Sequence, residues 1–419
     1  MNRRLLRSDT AMRWANRAFK DRNRTIYTLL IIGALLFPSF SDVTTGGSGN
    51  HLVSTAADAG VYVLLAIGLN VVVGFAGLLD LGYAAFFAIG AYSYALLASS
   101  QLSGSPLHVE FHLPFWVMLL VAMFVAASFG AILGAPTLRL RGDYLAIVTL
   151  GFGEIVPRIF RFLGAGSPIG NWTGGVNGIS AIDPPKLPAF VSGPWFGVGT
   201  PIRVVSPFDF SDSNWSPMDY YWLVLILVAV CIVLVTNLHN SRIGRAWMAV
   251  REDEVAAAAS GINTVAIKLL AFAIGASFAG FAGCYYGAKL SLVSSENFEF
   301  VVSVSILIMV VLGGMGNIPG VILGALTIFF VQFFVLTNLP DYAVAAANAV
   351  GLGFLNNSGG TWVGLHDEVQ RLNYIVFGGI LVGVMLLRPQ GLFPSKIREQ
   401  ELEKGTAEEA VFDIREATD

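Results

Sequence analysis

HNSRIGRAWMAVREDEVAAAASGIN, residues 239–263, is a conspicuously polar segment enclosed between two long apolar runs. No charged residue occurs in Tyr220–Val235 before it or in Leu269–Ala288 after it. Its Ala, Glu and Arg content favours a helix, and Gly261-Ile262-Asn263 supplies a C-terminal stop. We therefore predict a short soluble helix at a membrane surface, held by a span on either side. Such a helix is either a passive loop or a contact site for another protein.

The composition predicts an integral membrane protein. Hydrophobic residues make up 55% of the chain and charged residues only 13%, whereas an ordinary soluble domain has about 25% charged residues. Both cysteines, Cys231 and Cys284, fall within apolar runs. We expect them to be unpaired side chains packed inside helices.

Successive apolar runs predict an all-α polytopic helical bundle of about ten transmembrane helices. Glycines and prolines interrupt many of the run ends, and irregular backbone at membrane depth survives only where protein or water covers it. These interruptions favour a packed bundle around a cavity over isolated anchors. The predicted spans are Thr25–Phe40, Leu52–Val73, Leu78–Leu97, Leu113–Ala135, Tyr144–Leu163, Tyr220–His239, Val265–Ala288, Phe300–Leu312, Ile318–Leu336 and Tyr374–Leu387.

The distribution of basic residues predicts that the N- and C-termini are both cytoplasmic, because cytoplasmic loops carry the excess of Lys and Arg. Ten spans leave few basic residues in the outer loops, namely Lys186, Arg203, Lys289 and Arg371. The same count places a larger set in the cytoplasm: Arg139, Arg141, Arg242, Arg245, Arg251, Arg388, Lys396, Arg398, Lys404 and Arg415.

The predicted organisation has three parts. Residues 1–24 form a basic cytoplasmic segment, residues 25–393 a transmembrane domain, and residues 394–419 a charged cytoplasmic tail. Within the domain, residues 164–219 and 338–373 are predicted external loops, the second with a short helix near Tyr342–Val350 at the interface. Residues 240–263 are the predicted cytoplasmic helix.

Patterns typical of enzymes and of nucleic-acid-binding proteins are absent from the sequence. It contains no Gly-x-x-x-x-Gly-Lys-Ser/Thr, so we do not expect nucleotide hydrolysis by that route. Basic residues are not interleaved with aromatic ones on a soluble face, which argues against nucleic acid as a partner. His108, Glu110 and His112 could in principle bind a metal, but we expect them to be solvated. We predict no catalytic residue, no metal site and no cofactor.

A few polar side chains fall within the predicted spans. Glu154 lies about 15 Å into its span, with Arg158 four residues later on the same face. Ionisable groups at such depth face a partner or a water-filled space, so this is either a structural ion pair or a polar element beside a translocation path. We expect Asp58 and Asp80, near span ends, to be interfacial or capping residues. Asn70 could hydrogen-bond across helices.

Motifs along most of residues 60–393 carry a resemblance to a known family. They are Gly74–Tyr83 (GFAGLLDLGY), Leu140–Glu154 (LRGDYLAIVTLGFGE), Gly174–Ile179 (GGVNGI), Ser241–Arg245 (SRIGR), Arg251–Glu254 (REDE), Gly261–Asn263 (GIN), Lys268–Gly280 (KLLAFAIGASFAG), Val311–Gly320 (VLGGMGNIPG) and Leu387–Leu392 (LRPQGL). They resemble the permease subunits of branched-chain amino-acid ABC importers, specifically the M-type permease of the Liv system.

The resemblance implies a transporter subunit that is not itself an enzyme. In this family two permeases pair in the membrane, two ATPase subunits bind at the cytoplasmic face, and a soluble binding protein delivers substrate from outside. The polar helix would sit in a groove of the ATPase and convert nucleotide-driven closure into rocking of the spans. The coupling residues expected from this likeness are Arg245, Arg251, Glu252, Asp253, Glu254, Val255 and Gly261. The candidate translocation-path residues are Asn70, Gly74, Tyr83, Thr149, Glu154, Gly313 and Gly314.

We therefore expect a multi-pass permease of a prokaryotic inner (plasma) membrane, one half of a heterodimer. It would let leucine, isoleucine, valine or similar small amino acids cross by alternating access. Three alternatives stay open: a permease for urea or short-chain amides, a secondary carrier driven by an ion gradient through Glu154, and a membrane-embedded enzyme using Asp80 and Asp143 as a carboxylate pair.

Overall fold

The computed structural model describes residues 26–39, 50–106, 108–109, 111–137, 143–164, 167–168, 170–185, 216–349, 356 and 364–387. The predictions made for residues 1–24, 186–215 and 394–419 lie outside the described residues. Helices dominate the described part of the chain: α1 Ile26–Ser39, α2 Asn50–Asn70, α3 Tyr83–Leu97, α4 Phe115–Thr137, α5 Asp143–Phe162, α6 Pro217–Asn240, α7 Arg242–Glu252, α8 Glu254–Ala259, α9 Thr264–Leu290, α10 Phe300–Gly313, α11 Ile318–Phe330, α12 Thr337–Ala349 and α13 Leu365–Leu387.

Two of these helices run on into π-helical turns. Val71–Phe75 continues α2, and Val331–Leu336 joins α11 to α12 without a break. Short 3₁₀ turns lie at Ser100–Gly104, Gly175–Asn177 and Ser295–Phe298. The strands are two residues long: β1 Ala98–Ser99, β2 Phe111–His112, β3 Ile179–Ser180 and β4 Leu292–Val293.

Within the described residues, six helices are long and apolar enough to cross a membrane. Two further apolar helices, Ile26–Ser39 and Tyr83–Leu97, are shorter. The multi-pass all-α architecture is therefore confirmed, while the count of ten and the orientation of the termini stay predictions. The six long helices are His51–Phe75, Phe115–Thr137, Pro217–Asn240, Thr264–Leu290, Ser295–Gly313 and Ile318–Ala349.

Helix α9 lies at the centre of the bundle and packs against α2, α3 and α4. Small residues allow this close approach, as they commonly do between membrane helices. A Cβ atom added at Gly90 of α3 would lie only 2.4 Å from the Gly280 carbonyl oxygen of α9. Cys231 and Cys284 are both buried and unpaired, as predicted.

Antiparallel strand pairs connect the segments at the C-terminal end of α9. Strand β3 pairs with β4 through Ile179 and Val293, and β1 pairs with β2 through Ala98 and His112. The His112 Nδ1 atom also lies 2.7 Å from Asp183 Oδ2. His112 therefore has a carboxylate partner in Asp183, while Glu110 lies outside the described residues.

The polar segment (residues 239–263) is two helices rather than the single helix predicted. Asp253 is extended, with φ −153° and ψ 109°, and it ends α7 and begins α8. Its carboxylate accepts hydrogen bonds from the backbone N–H groups of Val255 at 2.8 Å and Ala256 at 3.0 Å. Asp is strongly favoured at this N-cap position, which is the physical reason for the break. The predicted stop is confirmed: Gly261 has φ +86°, and the Ile262 N–H donates to the Ala257 carbonyl.

The interval 338–373, predicted to be an external loop with a short helix near Tyr342–Val350, is helical at both ends of its described part. Helix α12 extends to Ala349 and α13 already begins at Leu365. Pro340 lies near the start of α12 and does not end it. Arg371, predicted in this loop, is therefore a residue of α13.

Asp58 and Lys289 form an ion pair that the sequence interpretation missed. Lys289 was predicted in an outer loop, but it lies in the last turn of α9 with a side chain only 5% exposed. Its Nζ atom contacts Asp58 Oδ1 of α2 at 2.5 Å and donates to the Ser54 carbonyl at 2.6 Å. A buried ammonium group requires such partners, so the pair links α2 to α9.

Candidate functional site

The polar segment is anchored to the bundle through one face of α7. Trp247 is fully buried, and its indole Nε1–H donates to the Ile267 carbonyl of α9 at 2.7 Å. Gly244 and Val250 are buried beside it. Ser241 caps the start of α7 by accepting hydrogen bonds from two backbone N–H groups. The segment is therefore a defined surface element and not a loose loop.

The opposite face of the polar segment is exposed and mixes charge with one large apolar side chain. Arg245, Glu252, Asp253 and Glu254 are all exposed, and Val255 is 78% exposed. Such an exposed valine contributes no burial energy within this chain. An apolar side chain surrounded by polar ones is a common feature of protein contact sites. This face is available to a partner.

Two of the predicted coupling residues also have roles within the chain. Asp253 caps α8, as described above. Glu254 forms an ion pair with Lys268 of α9, with Oε2 and Nζ 2.6 Å apart. Lys268 is largely buried there, with 14% of its side chain exposed. The pair therefore fixes α8 against the first turns of α9.

Arg251, another predicted coupling residue, is only partly exposed and does not belong to this exposed face. Its guanidinium Nη1 donates to the backbone carbonyl of Gly74, at 2.5 Å, at the end of α2. Its aliphatic part fills space next to Gly77, where an added Cβ atom would lie 2.8 Å from Arg251 Cγ. Arg251 and Val255 belong to different helices, because the break at Asp253 separates them. Arg251 connects the polar segment to the bundle.

A second contact joins the start of the polar segment to the same turn of α2. The ring of His239 lies against the ring of Phe75, with centroids 4.6 Å apart. Phe75 and Gly74 are neighbours in the π-helical turn Val71–Phe75. The polar segment therefore contacts this turn both before α7 and at the end of α7. π-Helical turns are rare and often occur at functional sites.

The same turn is also bonded to the connection between α10 and α11. The Asn70 side-chain oxygen accepts a hydrogen bond from the Gly316 N–H at 2.8 Å. A Cβ atom at Gly74 would lie 2.0 Å from that oxygen and 2.7 Å from the Gly316 nitrogen, so this position requires glycine. Gly313 is the last residue of α10 and Gly314 begins this connection, with φ +106°.

Of the predicted path residues, Asn70, Gly74, Gly313 and Gly314 thus lie around one junction. The side-chain Nδ2 of Asn70 is buried there and has no hydrogen-bond partner within the described part of the chain. We name this region, from Asn70–Gly74 to Gly313–Gly316, the α2–α10 junction.

Tyr83 and Thr149 lie at a different place, beside a carboxylate that was not predicted to be a site residue. The Tyr83 hydroxyl donates to the Gly275 carbonyl of α9 at 3.0 Å. Thr149 Oγ1 accepts from the Leu81 N–H at 3.1 Å. Asp80, between these contacts, is 1% exposed rather than interfacial. It does not cap α3 either, because the N-cap residue of that helix is Gly82; its Oδ1 accepts from the Gly82 N–H at 2.9 Å within the connection.

The second oxygen of Asp80 is buried in an apolar setting. It has no hydrogen-bond partner among the described residues, and the cavity that it lines has walls of Phe86, Phe152 and Phe272. Asp80 belongs to the connection between α2 and α3, outside the spanning helices. Burial raises the pKa of this carboxyl to about 6, although the hydrogen bond from Gly82 favours the charged form. The sequence feature that could have identified this site is Asp80 itself, the one acidic residue in the otherwise apolar motif Gly74–Tyr83.

Glu154 lies apart from both groups. It forms the predicted ion pair with Arg158, with Oε2 and Nη2 3.0 Å apart. Both side chains are on the outer surface of α5, where Glu154 is 39% and Arg158 77% exposed. The structure therefore confirms the pairing but does not bring Glu154 to the other path residues.

The described residues contain no group of three or more His, Cys, Asp and Glu side chains placed to hold a metal ion. The described residues therefore form a helical bundle in which the exposed face of the polar segment is linked to the α2–α10 junction by hydrogen bonds and packing.

Comparisons with known proteins agree with this architecture. The family described as branched-chain amino acid transport system / permease component matches residues 51–385. The chain is 39% identical over 352 residues to the high-affinity branched-chain amino acid transport system permease protein LivM of Salmonella typhimurium, a match that covers 83% of this chain and 71% of that one. It is 38% identical to LivM of Escherichia coli, with the same coverage of each chain.

A second kind of permease is also similar. The protein LivH of Salmonella typhimurium is 27% identical over 267 residues, which cover 63% of this chain and 78% of LivH. No solved structure matches the chain. The proteins that it resembles are transport permeases and not enzymes. The family match spans most of the bundle described above, and the chain therefore belongs to the family of branched-chain amino acid transport permease components.

Proposed function

We propose that this chain is the membrane-spanning subunit of an ATP-driven importer for leucine, isoleucine, valine or similar small amino acids. Support for the substrate class comes from the names of its relatives. Support for the ATP-driven class comes from the polar segment, which presents Val255 outward and is tied to α2 through Arg251. Since the sequence has no phosphate-binding motif, ATP hydrolysis would occur on separate subunits.

The proposed partners follow from the separation of transport and ATP hydrolysis onto different subunits. Two cytoplasmic ATPase subunits would bind the complete transporter, one of them on the exposed face of the polar segment. A second, homologous permease would complete the pair in the membrane, and an extracytoplasmic solute-binding protein would deliver the substrate. The proposed location is the inner (plasma) membrane of a prokaryote, and neither a cofactor nor nucleic acid enters the proposal.

The contacts of the polar segment supply a route for the mechanical step. Movement of α7 and α8 with the ATPase would shift Arg251 and hence the Gly74 carbonyl at the end of α2. The hydrogen bond from Gly316 to Asn70 would pass that shift to the connection between α10 and α11. Packed interfaces tend to switch between discrete arrangements rather than deform continuously. The α2–α10 junction is therefore our candidate for the element that opens and closes the path.

The observation that carries the proposal is the exposed Val255, and substituting it tests the proposal. Val255→Asp should leave the permease folded, because the residue is in the first turn of α8, where a negative charge is favourable. The same change should release the ATPase on purification and abolish ATP-driven leucine uptake in proteoliposomes. Val255→Ile keeps an apolar contact of similar shape and is the matched control. Normal uptake by Val255→Asp would contradict the proposal.

The same proteoliposomes distinguish the rival functions. Valine in excess should compete with leucine, and urea should not. Collapse of the ion gradients should leave uptake intact while ATP is present. Uptake that persists without ATP and disappears with the proton gradient would instead indicate a secondary carrier.

A further inference from the structure

The outward face of α5 differs from the outward faces of α4 and α6. Its large side chains Ile147, Ile155 and Phe162 are 64%, 54% and 62% exposed. Gly151 lies on the same face, and an added Cβ atom there would meet nothing within 4 Å. The Glu154–Arg158 ion pair lies among these residues, since positions three or four apart share a helix face.

The depth of the ion pair makes lipid an unsuitable neighbour. Helix α5 carries Glu154, Arg158 and Arg161 and is not among the six long apolar helices, but we predict from the sequence that it spans the membrane. Its 20 residues give a length of about 30 Å, enough to cross hydrocarbon, and Glu154 lies about 16 Å from its first residue. Hydrocarbon cannot solvate a guanidinium group, and charged side chains in membrane helices face protein or water. Arg158 is nevertheless 77% exposed in this chain, so something else must cover it.

The exposed faces of α4 and α6 provide the comparison. Helix α4 contains no charged residue, and α6 has a carboxylate only in its first turn, at Asp219. Their large exposed side chains are apolar, such as Phe124 at 75% and Val233 at 58%. Those faces are suited to lipid. Among the long outward faces of α4, α5 and α6, that of α5 alone combines apolar side chains with an ion pair near its middle.

Gly151 indicates that the cover is a closely packed helix. A glycine on an otherwise bulky face lets a neighbouring backbone approach, which is common where membrane helices associate. Arg158 has five N–H donors and donates from Nη2 to Glu154. A helix seated over Gly151 could offer carbonyl or side-chain oxygens to the remaining donors.

We propose that the Ile147–Phe162 face of α5 is the surface on which the second permease subunit packs. This inference rests on the proposed function, which requires a homologous permease partner. The occupant is a chain of the same fold but different sequence, because Salmonella typhimurium has two permeases, LivM and LivH, that both resemble this chain. The partner would place an oxygen acceptor opposite Arg158, and the charged pair would be sealed from lipid inside the interface.

Photo-crosslinking in membranes that contain the complete transporter tests this assignment. A benzophenone amino acid replaces Ile147 or Ile155 on α5, and Phe124 on α4 or Val233 on α6 as matched controls of similar exposure. The α5 positions should give an adduct with the combined mass of this chain and the second permease. The control positions should give no protein adduct, because lipid surrounds them.

Each other outcome overturns the inference. Absence of an adduct from α5 would mean that this face contacts lipid, and an adduct of twice this chain's mass would mean that a second copy covers it. Equal adducts from α4 or α6 would place the interface elsewhere. ATP-dependent leucine uptake by the same membranes keeps the two proposals separate. Uptake without the α5 adduct rejects only the interface, whereas loss of ATP-dependent uptake in the unsubstituted protein rejects the function.

Discussion

Arg251 and Gly74 are 177 residues apart in the sequence, and the guanidinium of the first donates a 2.5 Å hydrogen bond to the backbone carbonyl of the second. The last carbonyls of a helix have no partner within the helix, and a cationic donor there is favoured by the helix dipole. The contact therefore stabilises the end of α2. It also makes the position of α2 depend on the position of α7.

We expect Arg251→Lys to uncouple transport from ATP hydrolysis. A lysine lacks the planar donor fork of arginine, and a hydrogen bond from a charged group contributes roughly 1.5–3 kcal/mol. Leucine uptake per ATP hydrolysed should therefore fall about tenfold or more, while the protein still inserts and binds the ATPase. Both rates can be measured in the same proteoliposomes.

Arg371→Lys is the control for that substitution. Arg371 is 67% exposed and lies 4.0 Å from Glu368 on its own helix, a kind of surface pair that contributes little. Leucine uptake per ATP hydrolysed should be unchanged in Arg371→Lys. An unchanged ratio in Arg251→Lys as well would show that the polar segment acts on the spans by another contact.

Gly74→Ala tests the packing of the α2–α10 junction. The added Cβ atom would lie 2.0 Å from the Asn70 oxygen, so the turn or the connection after α10 must shift. Overpacking of this kind costs about 1–3 kcal/mol. We expect a lower midpoint of thermal unfolding in detergent and impaired uptake. Gly33→Ala, in α1, meets nothing within 4 Å and should keep or raise the midpoint; an equal effect of both changes would argue against a tight junction.

Short stretches of the sequence were enough to predict structural features that depend only on residues close together in the chain. The apolar runs, the stop at Gly261 and the i,i+4 pairing of Glu154 with Arg158 are all properties of a few consecutive positions. The structure confirms the stop and the pairing, and six of the ten apolar runs are helices long and apolar enough to cross a membrane. The break at Asp253 was local as well, but an Asp followed by Glu and Val is compatible with both a helix interior and an N-cap.

The features that sequence reasoning missed depend on residues far apart in the chain. Nothing near Arg251 indicates that its partner is Gly74. Asp80 was interpreted as an interfacial residue because it lies at the end of an apolar run, yet the connection between α2 and α3 folds in beside Thr149. Lys289 was placed in an outer loop because the predicted span ended at Ala288, and its buried partner, Asp58, is 231 residues away.

Surface labelling tests the predicted orientation. Ser180 and Ser260 are both exposed and lie near opposite ends of α9, since β3 pairs with the strand after α9 and Ser260 precedes its start. A membrane-impermeant thiol reagent added to intact cells should label Ser180→Cys and not Ser260→Cys. Both should react after permeabilisation, and buried Cys231 and Cys284 should add little background. Labelling of Ser260→Cys in intact cells would reverse the topology and place the polar segment outside.

The Asp80 carboxyl should make stability depend on pH. Burial raises its pKa in the folded protein from 3.8 to about 6, so the unfolded chain loses this proton at lower pH than the folded one. An acid whose pKa is raised in the folded protein destabilises the fold once it ionises. The free energy of unfolding therefore falls as pH rises from about 4 to 6, and the fall is complete above that. Two pKa units correspond to a loss on the order of 3 kcal/mol.

Asp80→Asn removes this titration, because the amide keeps the acceptor for the Gly82 N–H but carries no charge. Relative to the unsubstituted protein, the variant should therefore gain stability steadily as pH rises through that interval. The amide nitrogen would replace the second carboxylate oxygen, which has no partner among the described residues, and this could lower stability equally at every pH. The predicted gain is a change of stability with pH, so such a constant loss would not hide it. Thermal unfolding in detergent between pH 4 and 8 provides the two curves. Parallel curves would mean that water or a cation reaches the Asp80 carboxylate, and that the apolar cavity beside it is open in the folded protein.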